Sequence, residues 1–307
     1  MHQSLALRAS LLAIAASALL SFTDNFVGLV SQESGLWQFQ LFRTLFALPI
    51  IAIGVLLTRA NFKVYNVKKI AVRSTIISIG LLIYFSSLGF LPVAQAGAGL
   101  FSAPIWVMFF SIVFFKNKAS LMKILTISVG FIGVLMLLQP DTQNLTLFSL
   151  FPLIAGAFYG FGMLITRYWC SVESAVALTL GVFICMGIIS IVMVSVIFFY
   201  PTDSNAFIFQ GWKPVTANFL VLTFLQSLGG VISVTLITQA YKIGEPSFTS
   251  IFEYTFLIFA AVWTFLLWGE TTNEIALFGV IVIISSGISL SVLNHKATKN
   301  GLTPAQK

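Results

Sequence analysis

Three charged side chains stand inside otherwise apolar sequence: Asp24 in Phe22-Thr23-Asp24-Asn25-Phe26, Arg43 in Gln40-Leu41-Phe42-Arg43, and Glu253 in Ile251-Phe252-Glu253-Tyr254. In a lipid setting each costs on the order of 2.5 to 3.5 kcal/mol at the centre of a span, so a lipid-facing, unpaired placement is disfavoured. Their chemistry differs. A carboxylate can bind and release a proton, whereas a guanidinium keeps its charge and grips anions with a planar fork. Asp24 and Glu253 are therefore the proton-carrying candidates and Arg43 the candidate anion anchor. Asp24 lies six residues before the end of the apolar run 9–30 and Arg43 six after the start of the run 37–58. At about 1.5 Å per helical residue both sit roughly 9 Å below the same boundary, which allows a direct ion pair. Such a pair either fixes helix packing or exposes one member in turn to substrate or proton, and both readings stand. Glu253 is placed five residues into the run 248–268, next to Tyr254 and after Ser247, Thr249 and Ser250. It can serve as a proton site near that end of the span or as a cap on the helix start, where negative charge is favoured.

A second tier of candidates combines a ring with a polar handle away from the span boundaries: Tyr84, Trp106, Tyr159, Tyr254 and Trp263. Each has packing or interface anchoring as its plainer role. With 31 Phe residues in the chain, Phe carries no positional information and is set aside. Gln226, Gly230 and Ser233 recur at spacing four then three, which puts them on one helix face. A Gln amide facing lipid goes unsatisfied, so this stripe faces protein or a water-filled path. Gly97, Gly99, Gly156 and Gly160 permit close helix approach, with packing as the default role. Trp37, Trp169, Trp212 and Trp268 fall at run ends and fit an interfacial aromatic belt.

Positioning these groups requires an all-α membrane protein. Of 307 residues 58% are hydrophobic and 8% charged, too few charges to coat even one soluble core. Ten apolar runs of about the length needed to span a bilayer are present, at 9–30, 37–58, 74–91, 94–115, 121–138, 147–166, 175–200, 217–241, 248–268 and 275–293. The first is too long for the apolar part of a cleaved signal and nine more follow it, so it is expected to stay. The segment Pro201 to Thr216 is the one substantial loop, Leu91 to Val93 a tight one, and the tail 295–307 reads as unstructured. Cys170 and Cys185 make no disulfide framework. The two histidines, His2 and His295, lie at the chain ends, which argues against a histidine metal site or a Ser/His pair in the membrane. No metal or cofactor is implied, and without a P-loop direct ATP-driven pumping is not indicated.

The net charge of +7 is a matter of topology rather than of nucleic acid. With the N-terminus cytoplasmic, 14 basic residues fall in inside segments and Lys213 alone in an outside one, so both termini are expected in the cytoplasm of an inner-membrane protein. The inside set comprises Arg8, Arg59, Lys63, Lys68, Lys69, Arg73, Lys116, Lys118, Lys123, Arg167, Lys242, Lys296, Lys299 and Lys307. A shift of 154 residues overlays Pro92 through Leu137 on Pro246 through Ser291 without a gap, matching Gly133 to Gly287 and Lys116 to Glu270. Five spans per half is an odd number, so the second half, 147–294, is expected upside down relative to the first, 1–140. Inverted halves point to a transporter.

At this level the chain resembles the drug/metabolite transporter superfamily and its ten-helix EamA-like branch. The resemblance rests on Gln40-Leu41-Phe42-Arg43, on Leu91-Pro92-Val93-Ala94-Gln95-Ala96 leading to Ala103-Pro104, and on Phe252-Glu253-Tyr254 followed by Trp268-Gly269-Glu270. Lys116-Asn117-Lys118 departs from the Gly-Glu that commonly closes the fourth span of the family, which weakens any substrate role for that turn. The resemblance implies ten transmembrane helices as two inverted five-helix repeats and a secondary carrier of a small metabolite, working by alternating access. It favours export with proton exchange; an uptake permease or exchanger of the same fold is the alternative. A polytopic membrane enzyme needs acids, bases or nucleophiles clustered at one depth, and this chain offers one Asp, one Glu and no His within its runs. A signalling role lacks an outside domain. The expected partners are a small-molecule substrate, the lipid bilayer and protons, with no nucleic acid, in a monomer or homodimer.

Overall fold

The computed structural model describes residues 2–59, 62–87, 93–117, 119–140, 150–200, 207–271 and 273–299, apart from the side chains of 2–4, 93–96 and 294–299. Among the described residues the regular elements are all helical: α1 His2–Asp24, α2 Val27–Glu33, α3 Leu36–Thr58, α4 Val67–Ser87, α5 Val93–Leu100, α6 Ala103–Val113 and α7 Leu121–Leu138 come first. They are followed by α8 Phe151–Trp169, α9 Ala175–Phe199, α10 Ala217–Ile243, α11 Pro246–Thr249, a 3-10 turn Ser250–Tyr254, α12 Thr255–Trp268 and α13 Glu274–Lys299. Among the described residues eight helical stretches have the length and mean hydropathy to cross a membrane, and a shorter apolar stretch, Gly97–Val113, accompanies them. α13 continues as helix past Asn294, into the segment expected to be unstructured, and the tight connection at Leu91 falls outside the described residues.

Local chemistry sets the helix ends. Ser120, Ser174 and Thr216 cap α7, α9 and α10 by accepting from the backbone N–H groups of Lys123, Ala177 and Phe219, each cap worth about 1 kcal/mol. Gly269, at φ 72°, closes α12 in the left-handed conformation that glycine adopts without a Cβ clash. Three of the expected spans lose continuity. The first breaks at Asn25-Phe26, immediately after Asp24; the fourth breaks at Phe101-Ser102, just before Pro104, whose ring lacks the N–H a continuing helix needs. The ninth passes through the 3-10 turn that carries Glu253.

The bundle buries many polar groups within its apolar core and is apolar outside. Ser74, Thr223, Gln226 and Thr238 are buried, whereas Leu56, Leu57 and Phe198 are more than three-quarters exposed. Such an arrangement suits a lipid solvent, where Leu on the outside costs nothing and polar groups must find partners within. Close backbone approach holds the pairs together. A methyl group on Gly133 would lie 2.9 Å from the carbonyl of Gly279, and one on Gly279 would lie 2.7 Å from the carbonyl of Gly133. That contact joins α7 to α13, and Gly80 likewise seats α4 against Ala155 and Tyr159 of α8.

The principal packings between the first and second parts of the chain are α7 on α13, α4 on α8, α1 on α10, α3 on α9, α3 on α10, α5 on α8, α6 on α8, α1 on α12 and α4 on α9. Exchange α1 with α8, α3 with α9, α4 with α10, α6 with α12 and α7 with α13, and all of these packings but α5 on α8 return; its counterpart is the smaller packing of α1 on α11 and the 3-10 turn. Contacts within each part break this symmetry: α10 packs extensively on both α8 and α9, and α4 has no comparable packing on α1 or α3.

Candidate functional site

The bundle has two ends. At one, Gly244 meets Ala9, and Lys63 accepts from the backbone of Ser174 at 3.2 Å. At the other, the connection from Phe207 to Thr216 lies over the start of α3, with Leu36 donating to Phe207 at 2.8 Å and Gln38 exchanging two 2.9 Å bonds with the backbone of Lys213. These are called here the near and far ends.

Toward the far end, the break after α1 places Asp24 near Arg43 of α3 and Tyr84 of α4, with which it interacts through space. The direct ion pair expected from equal depth does not form: among the described residues the one ion pair is Lys123–Glu245, at 2.5 Å. The physical reason is lateral. The Arg43 guanidinium turns toward α9 and α10, over the rings of Phe39 at 5.9 Å and Phe183 at 5.7 Å, and its Nη2 would lie 2.6 Å from a methyl group on Gly230. Glycine at 230 thus makes room for the cation, which the stripe Gln226, Gly230, Ser233 had placed on one face. Gln226 donates to the carbonyl of Thr23, next to Asp24, and Ser227 donates to the carbonyl of Arg43 at 3.1 Å. Several buried polar atoms here have no protein partner: Arg43 Nε, Gln40 Nε2, Thr223 Oγ1 and Gln226 Oε1. Native interiors rarely leave such atoms unpaired, so their concentration on α3 and α10 marks a place built to meet another polar group.

Toward the near end, Glu253 is held by two phenols. Tyr159 of α8 donates to its Oε2 at 2.7 Å, and Tyr241 of α10 donates to Oε1. Tyr241 is fully buried and was not singled out in the sequence, although extending the α10 stripe by four and four residues from Ser233 reaches it. The reading of Glu253 as a helix cap does not describe this geometry, because both carboxylate oxygens engage side chains of other helices; Glu245 is the residue that caps α11, through Ser247.

A further buried charge lies nearby. Arg73, counted among the basic residues of an inside connection, is fully buried in α4. Its guanidinium donates to Thr166 at 2.9 Å, the carbonyl of Leu178 at 3.1 Å, Thr238 at 3.1 Å and the sulfur of Met163 at 3.8 Å. The partners come from α8, α9 and α10, so one side chain pins four helices. The helix starts two turns ahead of the apolar run, and a boundary drawn by hydropathy alone left Arg73 outside. Glu173 is another omission: fully buried, it accepts from the backbone N–H groups of Tyr65 and Asn66 at 2.8 and 2.7 Å and fixes the connection before α4.

The remaining candidates are dispersed. Trp106 donates to Ser102 at 3.1 Å, bridging the α5–α6 break, and stacks on Phe110. Trp263 ties α12 to α1 through the carbonyl of Ala18 at 3.0 Å. Tyr254 turns away from Glu253 and lays its ring against Gly130 of α7. Ser233 is buried with no partner for its hydroxyl. A cavity of about 620 Å³ opens at the far end between Trp37, Gln38, Phe198, Phe199 and Trp212, and none of the candidates lines it. No group of His, Cys, Asp and Glu suited to a metal occurs among the described residues, and both cysteines are free.

An apolar exterior, a polar seam and carboxylates at helix breaks define a polytopic membrane transporter. The chain belongs to the EamA-like transporter family, matched over residues 7–139 and again over 146–292. It is 21% identical to an S-adenosylmethionine uptake transporter of Rickettsia bellii over 71% of this chain and 72% of that protein. It is 19% identical to a riboflavin transporter of Rhizobium johnstonii over 84% and 80%, and 21% identical to a pseudopaline exporter of Pseudomonas aeruginosa over 92% and 95%. A solved crystal structure shares the fold, with a TM-score of 0.75 at 13% identity over 93% of this chain and 98% of its own. The chain is thus a membrane transporter of small molecules and not an enzyme.

Proposed function

We propose that the chain is a secondary carrier in the inner membrane that works by alternating access between two inverted five-helix halves, 1–140 and 147–294, with both termini and the tail 295–307 cytoplasmic. Arg43 anchors an anionic group of a small organic solute, amino-acid-like or similar, within the seam of Asp24, Tyr84, Gln40 and Gln226. Glu253 carries the coupling proton. The observation that carries this reading is that both intramembrane carboxylates sit where a span loses helical continuity, since transporters build binding and coupling sites at broken helices in the two halves.

Three features support it. The family match falls in two segments of similar length. The large packings between the halves, α5 on α8 apart, map onto themselves when the halves are exchanged. The packings within the halves do not, as expected of a carrier caught with one end closed: α10 packs on α8 and α9, and Arg73 and Glu173 tie the near end together. The near end is cytoplasmic by the distribution of basic residues, so this state faces outward. Export is the direction carried forward, and the pseudopaline exporter matches nearly the full chain. Uptake is the second reading, favoured by the S-adenosylmethionine uptake relative.

The test is transport by purified protein in liposomes against a panel including S-adenosylmethionine, riboflavin and the amino acids, with and without a pH gradient. Saturable flux of at least one solute is expected; leak-level flux of all, in protein shown to be folded, contradicts the substrate class. Topology is checked on a chain with Cys170→Ala and Cys185→Ala: Gly211→Cys is expected to label from outside and Lys63→Cys only from inside. Labelling of both from one side removes the basis for inverted halves.

A further inference from the structure

The connection from α3 to α4 does not join neighbours. α3 and α4 each pack on α9, and residues 62–66 cross the start of that helix as a strap at the near end. Its backbone is fixed rather than loose: the Glu173 carboxylate takes the N–H groups of Tyr65 and Asn66, Ser174 donates to Lys63, and Asn66 caps Lys69 at 3.1 Å. With the backbone anchored inward, the side chains face out. Arg59, Lys63, Lys68 and Lys69 are all exposed, and among the described residues none meets a carboxylate within ion-pair distance. The nearby acids are otherwise engaged, Glu173 buried against the strap backbone and Glu245 paired with Lys123.

Interleaved with these cations are apolar side chains that a water-facing loop would not keep: Phe62 is 43% exposed, Tyr65 63% and Val67 69%. Just before the strap, Leu56 and Leu57 of α3 lie open to the lipid. Cations at the level of a helix start, rings among them and a leucine surface directly below follow the layers of one phospholipid: phosphate, interface and acyl chain. Basic residues beside a span attract acidic lipid, and rings settle at the headgroup level.

We propose that this strap is a binding site for an anionic phospholipid, its phosphate on Lys63, Lys68 and Lys69 and its chain along Leu56 and Leu57. The strap thereby fastens the closed near end to the cytoplasmic leaflet, and the site stands whatever solute the carrier moves.

The full chain, purified in detergent, is offered equimolar phosphatidylglycerol and phosphatidylcholine, and bound lipid is counted by native mass spectrometry. Retention of phosphatidylglycerol roughly tenfold above phosphatidylcholine is expected, falling to parity in Lys63→Gln/Lys68→Gln/Lys69→Gln. Lys213→Gln at the far end is expected to keep the preference. Equal retention of the two lipids by the unaltered protein overturns the proposal, as does an undiminished preference in the triple variant. Loss of bound phosphatidylglycerol to millimolar inorganic phosphate also overturns it, since the site then takes free anions. Should the Gln variant lose its monodisperse fold, Lys63→Arg/Lys68→Arg/Lys69→Arg keeps the charge and is expected to retain the preference; parity there overturns it equally.

Discussion

The two polar centres of this bundle treat buried charge in opposite ways. At the near end the buried charges are satisfied: Glu253 has a phenol on each oxygen, and Arg73 has four acceptors from three helices, while the neighbouring hydroxyls of Ser74 and Tyr254 have no partner. At the far end Arg43, Gln40, Thr223 and Gln226 each keep a buried polar atom without a protein partner, and Asp24 stands near Arg43 without pairing. A satisfied network makes a fixed junction, whereas one with spare donors and acceptors is ready for something that arrives. On the proposed function, the contrast is between closure at the near end and recognition at the far end.

The largest effect expected from breaking this contrast is at Arg43. Arg43→Ala should lower transport by at least about a hundredfold with the protein still reaching the membrane, because it removes the far centre's cation and no ion pair. Arg43→Lys should restore only part of it, since a point charge lacks the planar fork. Normal transport by Arg43→Ala would show that the recognition centre lies elsewhere. If instead Arg43→Ala fails to accumulate and Asp24→Asn/Arg43→Gln regains both folding and transport, the two residues are a structural couple.

Arg73→Ala sharpens the other side. It strands two hydroxyls and a carbonyl and opens a gap at a four-helix junction, a loss of about 3 kcal/mol. The expected signature is a lower unfolding temperature in detergent; a substrate affinity that falls while stability holds would move Arg73 from closure to recognition. Tyr241→Phe removes one hydrogen bond to Glu253 and should cost about 1 kcal/mol in the same assay. Ser233→Ala is expected to change stability by less than about 0.5 kcal/mol, because its hydroxyl has no partner to lose. A larger fall in Ser233→Ala would place an unseen contact on that α10 face.

The near end also makes a chemical prediction outside the spans. Burial raises the Cys170 thiol above its ordinary value, so at pH 7.5 its reactive thiolate is scarce. Maleimide should modify it slowly in the folded protein and rapidly after unfolding. Rapid labelling of the native state would mean that the junction around Arg73 and Glu173 opens readily.

How much of this was readable from residues alone depended on whether hydropathy carried the signal. Lipid leaves apolar runs long, and their described parts are largely helical, though the first, fourth and ninth runs are interrupted. The carboxylates and Arg43 stood out because charge in such runs is rare. Arg73 did not, because α4 begins at Val67, two turns ahead of the apolar run, and turns Arg73 inward against α8, α9 and α10 from sequence that hydropathy assigns to a connection. The Asp24–Arg43 pair was inferred from depth, and depth says nothing of azimuth: Arg43 faces Gly230 and Phe183. Tyr159 meeting Glu253 was likewise invisible, since the two are distant in the chain and joined only by the packing of α8 beside the broken ninth span.

Proton coupling through Glu253 is the central claim, and it is tested most directly by measuring gradient-driven flux and solute exchange in the same liposomes for the unaltered chain, Glu253→Gln and Asp24→Asn. The account predicts that Glu253→Gln loses its response to an imposed pH gradient and keeps exchange. An unchanged gradient response in both Glu253→Gln and Asp24→Asn would contradict it and leave the chain a uniporter or solute exchanger.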